Sequence, residues 1–179
     1  MPANVEIKAS VEDVDALKQK AAKLSESEGT IIIQEDVFFQ VPKGRLKLRK
    51  LQDAPSQLIY YERTDQSGPK FSDYNITQIP DPESLQETLG KALGIQGIVK
   101  KTRTLYIVGQ TRVHVDTVAG LGNFMELEVV LEDGQTLEEG QHLANDLMSK
   151  LGVKTSDLVS VSYMDLILKD KNNQSTSNS

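Results

Sequence analysis

The sequence predicts an α+β protein in which eight antiparallel strands form a closed barrel, or tunnel, with a charged interior and helices packed outside. Most strand-like segments are joined by short turns, which is typical of antiparallel hairpins. In four segments charged and apolar residues alternate, so each strand has one ionic face; these are Glu6–Lys8, Lys47–Arg49, Arg112–Asp116 and Glu126–Glu128. A large antiparallel sheet tends to curl and close, because closure removes its edges. We therefore expect the apolar faces to meet the helices and the ionic faces to line the interior.

Turn residues and strand-forming residues divide the first half of the chain. A strand over residues 3–9 precedes a helix over residues 11–22, which Ser10 can cap. β-branched and aromatic residues predict a long strand over residues 30–41. Turns rich in proline, glycine and aspartate then separate strands over residues 45–51, 57–64 and 71–79.

Helix signals are stronger in the second half. Pro82 lies in the first turn of one helix and Gly94 ends it, while Gly109-Gln110 joins two strands as a hairpin. The predicted elements are helices over residues 81–93 and 136–151 and strands over residues 97–108, 111–118 and 123–131. Residues 158–169 fit either a strand or a helix. Because no linker or repeat divides the chain, we expect one domain over residues 1–170 and a disordered polar tail over residues 171–179.

The composition excludes several classes of protein. The chain has 179 residues, a formal net charge of -6 and no cysteine. Disulfides and thiolate metal sites are therefore excluded, and phosphate-binding cations must be gathered locally rather than spread over the surface. The N-terminal residues lack the pattern of a signal peptide, and no apolar run has the length of a membrane span. We expect a cytoplasmic protein with no membrane partner.

The charged strand faces have two interpretations. Antiparallel sheets often expose one face to water, where charges pair across strands. A polar cavity is favoured because arginine, which makes forked contacts with phosphate oxygens, is frequent among the cations. The glutamates at positions 6, 126 and 128 also supply the hard oxygen ligands that Mg²⁺ prefers. The cations at strand spacing are Lys8, Lys47, Arg49, Arg63, Lys101, Arg103 and Arg112. Gathered in one barrel they repel one another, and a polyphosphate–metal complex would relieve that repulsion.

Taken in order, these segments resemble the CYTH superfamily, also called the triphosphate tunnel metalloenzymes. Asn4–Lys8 resembles the Glu-x-Glu-x-Lys strand that opens the family, with asparagine in place of the first glutamate. The other matching segments are Gly44–Arg49, Lys101–Arg103, Arg112–Val118, Leu121–Glu128 and Ser162–Leu166. Tyr61 stands where many members have a lysine, and Arg63 can supply that cation. The resemblance covers about residues 3–168 and is greatest to the class IV adenylyl cyclase-like branch.

The resemblance implies a metal-dependent phosphohydrolase that holds a small-molecule triphosphate in the tunnel: inorganic tripolyphosphate, thiamine triphosphate or a nucleoside triphosphate. It implies catalytic roles for Lys8, Arg49 and Arg103. Substrate contacts are implied for Lys47, Arg63, Lys101, Arg112 and His114. The implied cofactor is Mg²⁺ or Mn²⁺, and its implied ligands are Glu6, Asp116, Glu126 and Glu128. Asp116 can alternatively orient an arginine.

Other functions and roles stay open at this level. The same tunnel suits a class IV-type adenylyl cyclase, which makes cyclic AMP and pyrophosphate from ATP. Asn4 brings no charge to a metal site, which allows a non-catalytic polyphosphate- or nucleotide-binding module. His114 can instead be a hydrogen-bonded wall residue, and Tyr163 is expected to pack rather than to contact the tunnel. With 5% aromatic residues and a negative net charge, an RNA-binding barrel is disfavoured and no nucleic-acid partner is expected. The sequence leaves the oligomeric state open.

Overall fold

The computed structural model of the chain describes residues 3–62 and 70–177. Its strands are β1 (Ala3–Ser10), β2 (Thr30–Phe39), β3 (Arg45–Leu51), β4 (Ser56–Glu62), β5 (Lys70–Ile79), β6 (Ile95–Val108), β7 (Thr111–Val118) and β8 (Gly122–Val130). Its α-helices are α1 (Val14–Ser25), α2 (Pro82–Leu93), α3 (Leu137–Lys150) and α4 (Tyr163–Ser177), with a short 3₁₀ helix at Thr155–Asp157. Arg63, one of the predicted site residues, lies outside the described residues. No described helix combines the length and the apolar character that crossing a membrane requires.

All strand pairs are antiparallel, in the order β1-β5-β4-β3-β2-β6-β7-β8, and β8 pairs in turn with β1. The predicted α+β class and the eight antiparallel strands are therefore confirmed. Turns set the register inside the hairpins. Gly109 has a φ of 60°, which glycine adopts without strain, and the turn it forms places Arg103 directly opposite Asp116.

The two edges of β1 are paired with other strands over different lengths. β1 pairs with β8 from Asn4 to Ser10, but its described pairing with β5 covers only Ala3–Glu6. Beyond that point a connecting segment lies against β1, where Val159 N donates to Lys8 O at 2.9 Å and Leu158 bridges Ala9. The eight strands therefore close into a ring, but at this end the segment at Leu158 and Val159, and not β5, lies along the second edge of β1. The expectation of a tunnel closed by strands alone is corrected at this end only, because a connecting segment completes the wall there.

Alternate residues of the strands place the core outside the sheet. Val5 and Ile7 of β1 and Leu127 of β8 are buried on the outer face, where Leu17 of α1 and Leu147 of α3 pack with them. Each such side chain stabilises the fold by about 1.5–3 kcal/mol when it is buried. α2 covers the outer face of β2 and β3 in the same way. The apolar faces therefore point outward to the helices, as the alternation predicted.

Residues 158–169 contain the start of α4 and no additional strand. Asp165 N donates to Ser162 Oγ at 3.1 Å, and Ser162 N donates to Asp165 Oδ2 at 3.4 Å, a reciprocal cap that starts the helix. Met164 is fully buried beside the sheet. A Cβ at Gly97 would lie 2.5 Å from Met164 Cε, so a larger residue there would displace the Met164 side chain from β6. Tyr163 and Met164 thus plug one end of the barrel, where they pack with Phe38 and Val99.

Two helix ends differ from their predicted positions. α1 begins at Val14 because Asp13, not Ser10, caps it: Asp13 Oδ1 accepts from Ala16 N at 3.0 Å. α4 continues through residues 171–177, where we expected the disordered tail. Once a helix has started, each added residue gains one hydrogen bond, so a polar sequence can extend it.

Candidate functional site

The inner face of the curled sheet surrounds one cavity of about 770 Å³. Side chains from separate strands converge on it. The predicted site residues that line it are Glu6, Lys8, Lys47, Arg49, Lys101, Arg103, Arg112, His114, Glu126 and Glu128. Asp116 lies behind this lining, in contact with Arg103. The ionic faces therefore enclose a polar cavity and do not form an outer solvated surface.

Asp116 holds Arg103 in a fixed orientation. Arg103 Nε donates to Asp116 Oδ1 at 2.7 Å and Nη2 donates to Oδ2 at 2.8 Å, while Nη2 also donates to Glu126 Oε2 at 3.0 Å. Burial would lower the pKa of Arg103, but the Asp116 and Glu126 charges outweigh it and raise that pKa. Tyr163 OH donates to Asp116 Oδ2 at 2.8 Å. With three donors on a fully buried carboxylate, Asp116 orients an arginine, the second of its two expected roles.

Asp36 on β2 does the same for Arg49, a contact that the alternation of charges did not predict. Arg49 Nε and Nη2 donate to the two Asp36 oxygens at 2.9 and 3.0 Å. Lys47 Nζ is 3.5 Å and Lys101 Nζ is 4.0 Å from Asp36 Oδ2. Burial would raise the pKa of Asp36, but the three cations hold it well below its usual range. Asp36 thus links three predicted phosphate-binding residues.

One of these two ion pairs has a clear signal in the sequence. A short turn fixes which residues of a hairpin face each other. Counting outward from Gly109-Gln110 pairs Arg103 with Asp116. The predicted strands over residues 30–41 and 45–51 would instead pair Asp36 with Lys50, and only the observed register places Asp36 opposite Arg49. An acid directly across from an arginine on the inner face predicts a buried ion pair.

Lys8 and Lys101 lie near the end that α4 closes. Lys8 Nζ donates to Val161 O at 3.1 Å and is 3.5 Å from Glu126 Oε1. The Lys8 and Lys101 ammonium groups lie 4.3 and 5.0 Å from the centre of the Tyr163 ring, a favourable cation–π geometry. Burial and the charge of Arg103 lower the pKa of Lys101 to about 7. Tyr163 therefore contacts the site through both its ring and its hydroxyl, and the expectation that it only packs is corrected.

A second group of polar side chains surrounds Glu128. Asn4 Nδ2 donates to Glu128 Oε1 at 2.7 Å and to Tyr74 OH at 3.3 Å. Arg112 Nη1 is 3.6 Å from Glu128 Oε1, and His114 Nδ1 is 3.9 Å from Glu128 Oε2. Burial and the charge of Arg103 lower the pKa of His114 well below its usual value, so its imidazole is neutral at neutral pH.

The four expected metal ligands are not gathered in one preformed centre. Within residues 3–62 and 70–177, no three His, Cys, Asp or Glu side chains are arranged to hold a metal ion. Asp116 and Glu126 are engaged by Arg103, and Glu126 also by Lys8. Glu6 and Glu128 face each other across β1 and β8. Carboxylate and amide oxygens are of the kind that suits a divalent cation, and the buried Asn4 Oδ1, on the same strand as Glu6, accepts no hydrogen bond from a described residue.

Comparison with known proteins identifies the family. The model of the CYTH domain family matches residues 2–163. The chain belongs to this family. The resemblance predicted from the ordered strand segments is therefore confirmed.

The relatives of this CYTH chain carry two kinds of name. Adenylate cyclase CyaB of Aeromonas hydrophila is 28% identical over 170 residues, which cover 90% of this chain and 87% of the relative. The PH1012 protein of Pyrococcus horikoshii OT3 superposes with a TM-score of 0.80 at 27% identity, over 91% of this chain and 98% of that one. A putative adenylyl cyclase of Hippeastrum, described as having a dominant triphosphatase activity, has a TM-score of 0.65 at 14% identity, with coverage of 95% and 96%. The last likeness concerns the fold alone.

Proposed function

We propose that this CYTH protein is a metal-dependent phosphohydrolase that removes the terminal phosphoryl group of a triphosphate bound in its cavity. The observation that carries the proposal is the charge lining of the cavity. Within the described residues, six cations converge there together with five carboxylates. The cations are Lys8, Lys47, Arg49, Lys101, Arg103 and Arg112, and the carboxylates are Glu6, Asp36, Asp53, Glu126 and Glu128. Both parts of a metal–triphosphate complex therefore meet opposite charge: the cations suit phosphoryl oxygens and the carboxylates suit a divalent cation.

Arg49 and the buried Arg103 are preoriented for phosphate. Each guanidinium donates to its aspartate, Asp36 or Asp116, through Nε and Nη2. Nη1 of each arginine therefore makes no hydrogen bond to these two carboxylates. Donors fixed before the reaction stabilise developing charge without reorganising. This arrangement supports Arg49 and Arg103 as the residues that stabilise charge on the transferring phosphoryl group, with Lys8 beside them.

The proposed reaction needs positioning and charge neutralisation more than covalent chemistry. Water attacks the terminal phosphorus, the bond from that phosphorus to its bridging oxygen breaks, and a diphosphate leaves. Lys47 and Lys101 would bind the phosphates that stay behind, and Lys101, with a pKa of about 7, can exchange a proton near neutral pH. Glu6 and Glu128 would hold Mg²⁺ or Mn²⁺, which neutralises phosphate charge and polarises phosphoryl oxygens when bound.

Adenylyl cyclase activity is the second candidate, favoured by the 28% identity to adenylate cyclase CyaB. In that reaction the ribose 3′-hydroxyl of ATP attacks the α-phosphorus and pyrophosphate leaves. The apolar side chains of Leu51, Ile76 and Leu105 also line the cavity, and such side chains suit contact with a base. A third candidate is a module that binds polyphosphate or nucleotide without turnover.

Product analysis separates these candidates. The purified protein is incubated with Mg²⁺ or Mn²⁺ and, in parallel, with tripolyphosphate, thiamine triphosphate and ATP. Released phosphate would support the phosphohydrolase. Cyclic AMP and pyrophosphate as the products would instead support the adenylyl cyclase. Tight binding of a triphosphate without any product would support the non-catalytic binding module. Arg103→Ala should remove the activity, whereas Lys91→Ala, which changes an exposed ion pair on α2, should keep it.

A further inference from the structure

Tyr163 is the first residue of α4, and its side chain lines the cavity although only 4% of the residue is exposed. Its ring packs edge-on against Phe124, with centroids 5.0 Å apart and an interplanar angle of 61°. Arg45 of β3 anchors the same end of α4, since its Nη2 donates to the two Asp165 oxygens at 2.7 and 2.8 Å. The Tyr163 ring is therefore held in one place at the end of the cavity.

The Tyr163 hydroxyl is linked to Arg103 through Asp116. Burial and the charges of Glu126 and Asp116 raise the pKa of Tyr163 well above its usual value, so the hydroxyl keeps its proton. It donates that proton to Asp116 Oδ2 at 2.8 Å, and the same oxygen accepts from Arg103 Nη2 at 2.8 Å. Hydrogen bonds linked in this way strengthen one another in a buried setting. The hydroxyl thus fixes the carboxylate that in turn fixes the guanidinium.

The Tyr163 ring contacts two lysines that extend from different strands. The ammonium groups of Lys8 and Lys101 lie 4.3 and 5.0 Å from its centre, and both lysines are buried. Cation–π contacts are stronger where the cation is desolvated. The backbone just before Tyr163 adds a further contact, since Val161 O accepts from Lys8 Nζ at 3.1 Å. The start of α4 therefore determines where both ammonium groups lie.

We propose that Tyr163 is a positioning residue for phosphoryl transfer, and that it acts on the site in two ways. Its hydroxyl orients Arg103 through Asp116. Its ring places the ammonium groups of Lys8 and Lys101. The docking of α4 thereby completes an arrangement that the strands alone do not fix. The inference rests on the proposed function for its effect on turnover, but the orientation of Arg103 is measurable without substrate.

Arginine ¹⁵N NMR of the free protein tests the action of the hydroxyl, because the chain has only five arginines. Tyr163→Phe removes the hydroxyl and keeps the ring. The Nε–H resonance of Arg103, which is donated to Asp116, should shift in this variant. The Nε–H resonance of Arg49, which is donated to Asp36, should not shift and is the internal control. An unchanged Arg103 resonance would overturn the proposal.

Kinetics and binding of the variants separate the hydroxyl from the ring. Tyr163→Phe should lower kcat about tenfold, the usual scale for one hydrogen bond to a charged group. The tripolyphosphate Kd of this variant should change by less than about twofold, since an interaction that matters in the transition state affects kcat and not binding. Tyr163→Leu also removes the aromatic face, and it should weaken tripolyphosphate binding about fivefold as the two ammonium groups lose their cation–π contacts. Wild-type affinity in Tyr163→Leu would overturn the role of the ring.

Tyr60→Phe is the matched control. Tyr60 OH donates to Glu62 Oε1 at 2.6 Å on the exposed surface, so this variant loses the same kind of hydrogen bond away from the cavity. It should keep the wild-type kcat, tripolyphosphate Kd and Arg103 resonance. A merely structural role for Tyr163 would lower Tm and leave kcat of the folded Tyr163→Phe protein unchanged, which would contradict the proposal. If the wild-type protein releases no product, the proposed function fails, and the Arg103 resonance still decides whether Tyr163 positions that arginine.

Discussion

Asp116→Asn is the most informative single substitution, because it removes the charge that holds Arg103. The buried carboxylate accepts two hydrogen bonds from Arg103 and one from Tyr163. The replacing amide keeps one acceptor oxygen and turns an N–H group toward donors. Breaking a buried ion pair by removing one partner costs roughly 3–5 kcal/mol. Glu126 remains 3.0 Å from Arg103 and limits the loss, so we expect the free energy of unfolding to fall by about 3 kcal/mol.

Urea unfolding followed by circular dichroism measures this loss. For a chain of this length the same change corresponds to a decrease in Tm of roughly 6–12 °C, at about 2–4 °C per kcal/mol. Turnover of the best triphosphate substrate should also fall by roughly 10²-fold, the usual effect of losing one fixed donor to a charged transition state.

The matched control is Asp146→Asn. Asp146 pairs with Lys150 on the half-exposed surface of α3 at 3.0 Å, and exposed pairs contribute less than about 1 kcal/mol. If both substitutions lower stability by the same small amount and leave turnover unchanged, Asp116 does not position Arg103 and the reasoning about the preoriented arginines fails.

Three further predictions follow from the same geometry. Arg103→Ala should weaken binding of tripolyphosphate far more than binding of monophosphate in calorimetric titrations. Equal losses of affinity for the two anions would argue against a site that contacts several phosphates at once. Glu128→Gln should abolish metal-dependent phosphate release while the circular dichroism spectrum stays unchanged, and full activity would remove Glu128 from the cation site. Lys101 is charged below its pKa of about 7 and neutral above it, and a bound anion favours the charged form. Tripolyphosphate affinity should therefore decrease as the pH rises through about 7, and Lys101→Met should lack this step; an identical pH profile in the variant would contradict the assignment.

The inward direction of the charged residues was predictable because strand periodicity is local. Alternation in Lys47–Arg49 and Glu126–Glu128 places their charges on one face, and the structure places all of these charges on the cavity. The ion pair of Arg103 was also predictable, since the two-residue turn at Gly109-Gln110 fixes Asp116 opposite it. The ion pair of Arg49 was not, because the longer connection between β2 and β3 leaves the register of Asp36 open by one residue.

The closed end of the cavity was not predictable in the same way. The β1–β5 pairing joins residues about seventy positions apart, and no local turn sets where it stops. The apolar run before Leu168 fits a strand or a helix equally, so the position of Tyr163 depends on how α4 docks against Gly97. Contacts of Tyr163 with Asp116, Lys8 and Lys101 follow from that docking and from no sequence pattern.

A crystal structure of the protein with tripolyphosphate tests the central claim most directly. The account predicts the anion inside the curled sheet, with phosphoryl oxygens within hydrogen-bond distance of Lys47, Arg49 and Arg103. A fully occupied tripolyphosphate on the outer surface, with none of these three side chains in contact, would contradict it.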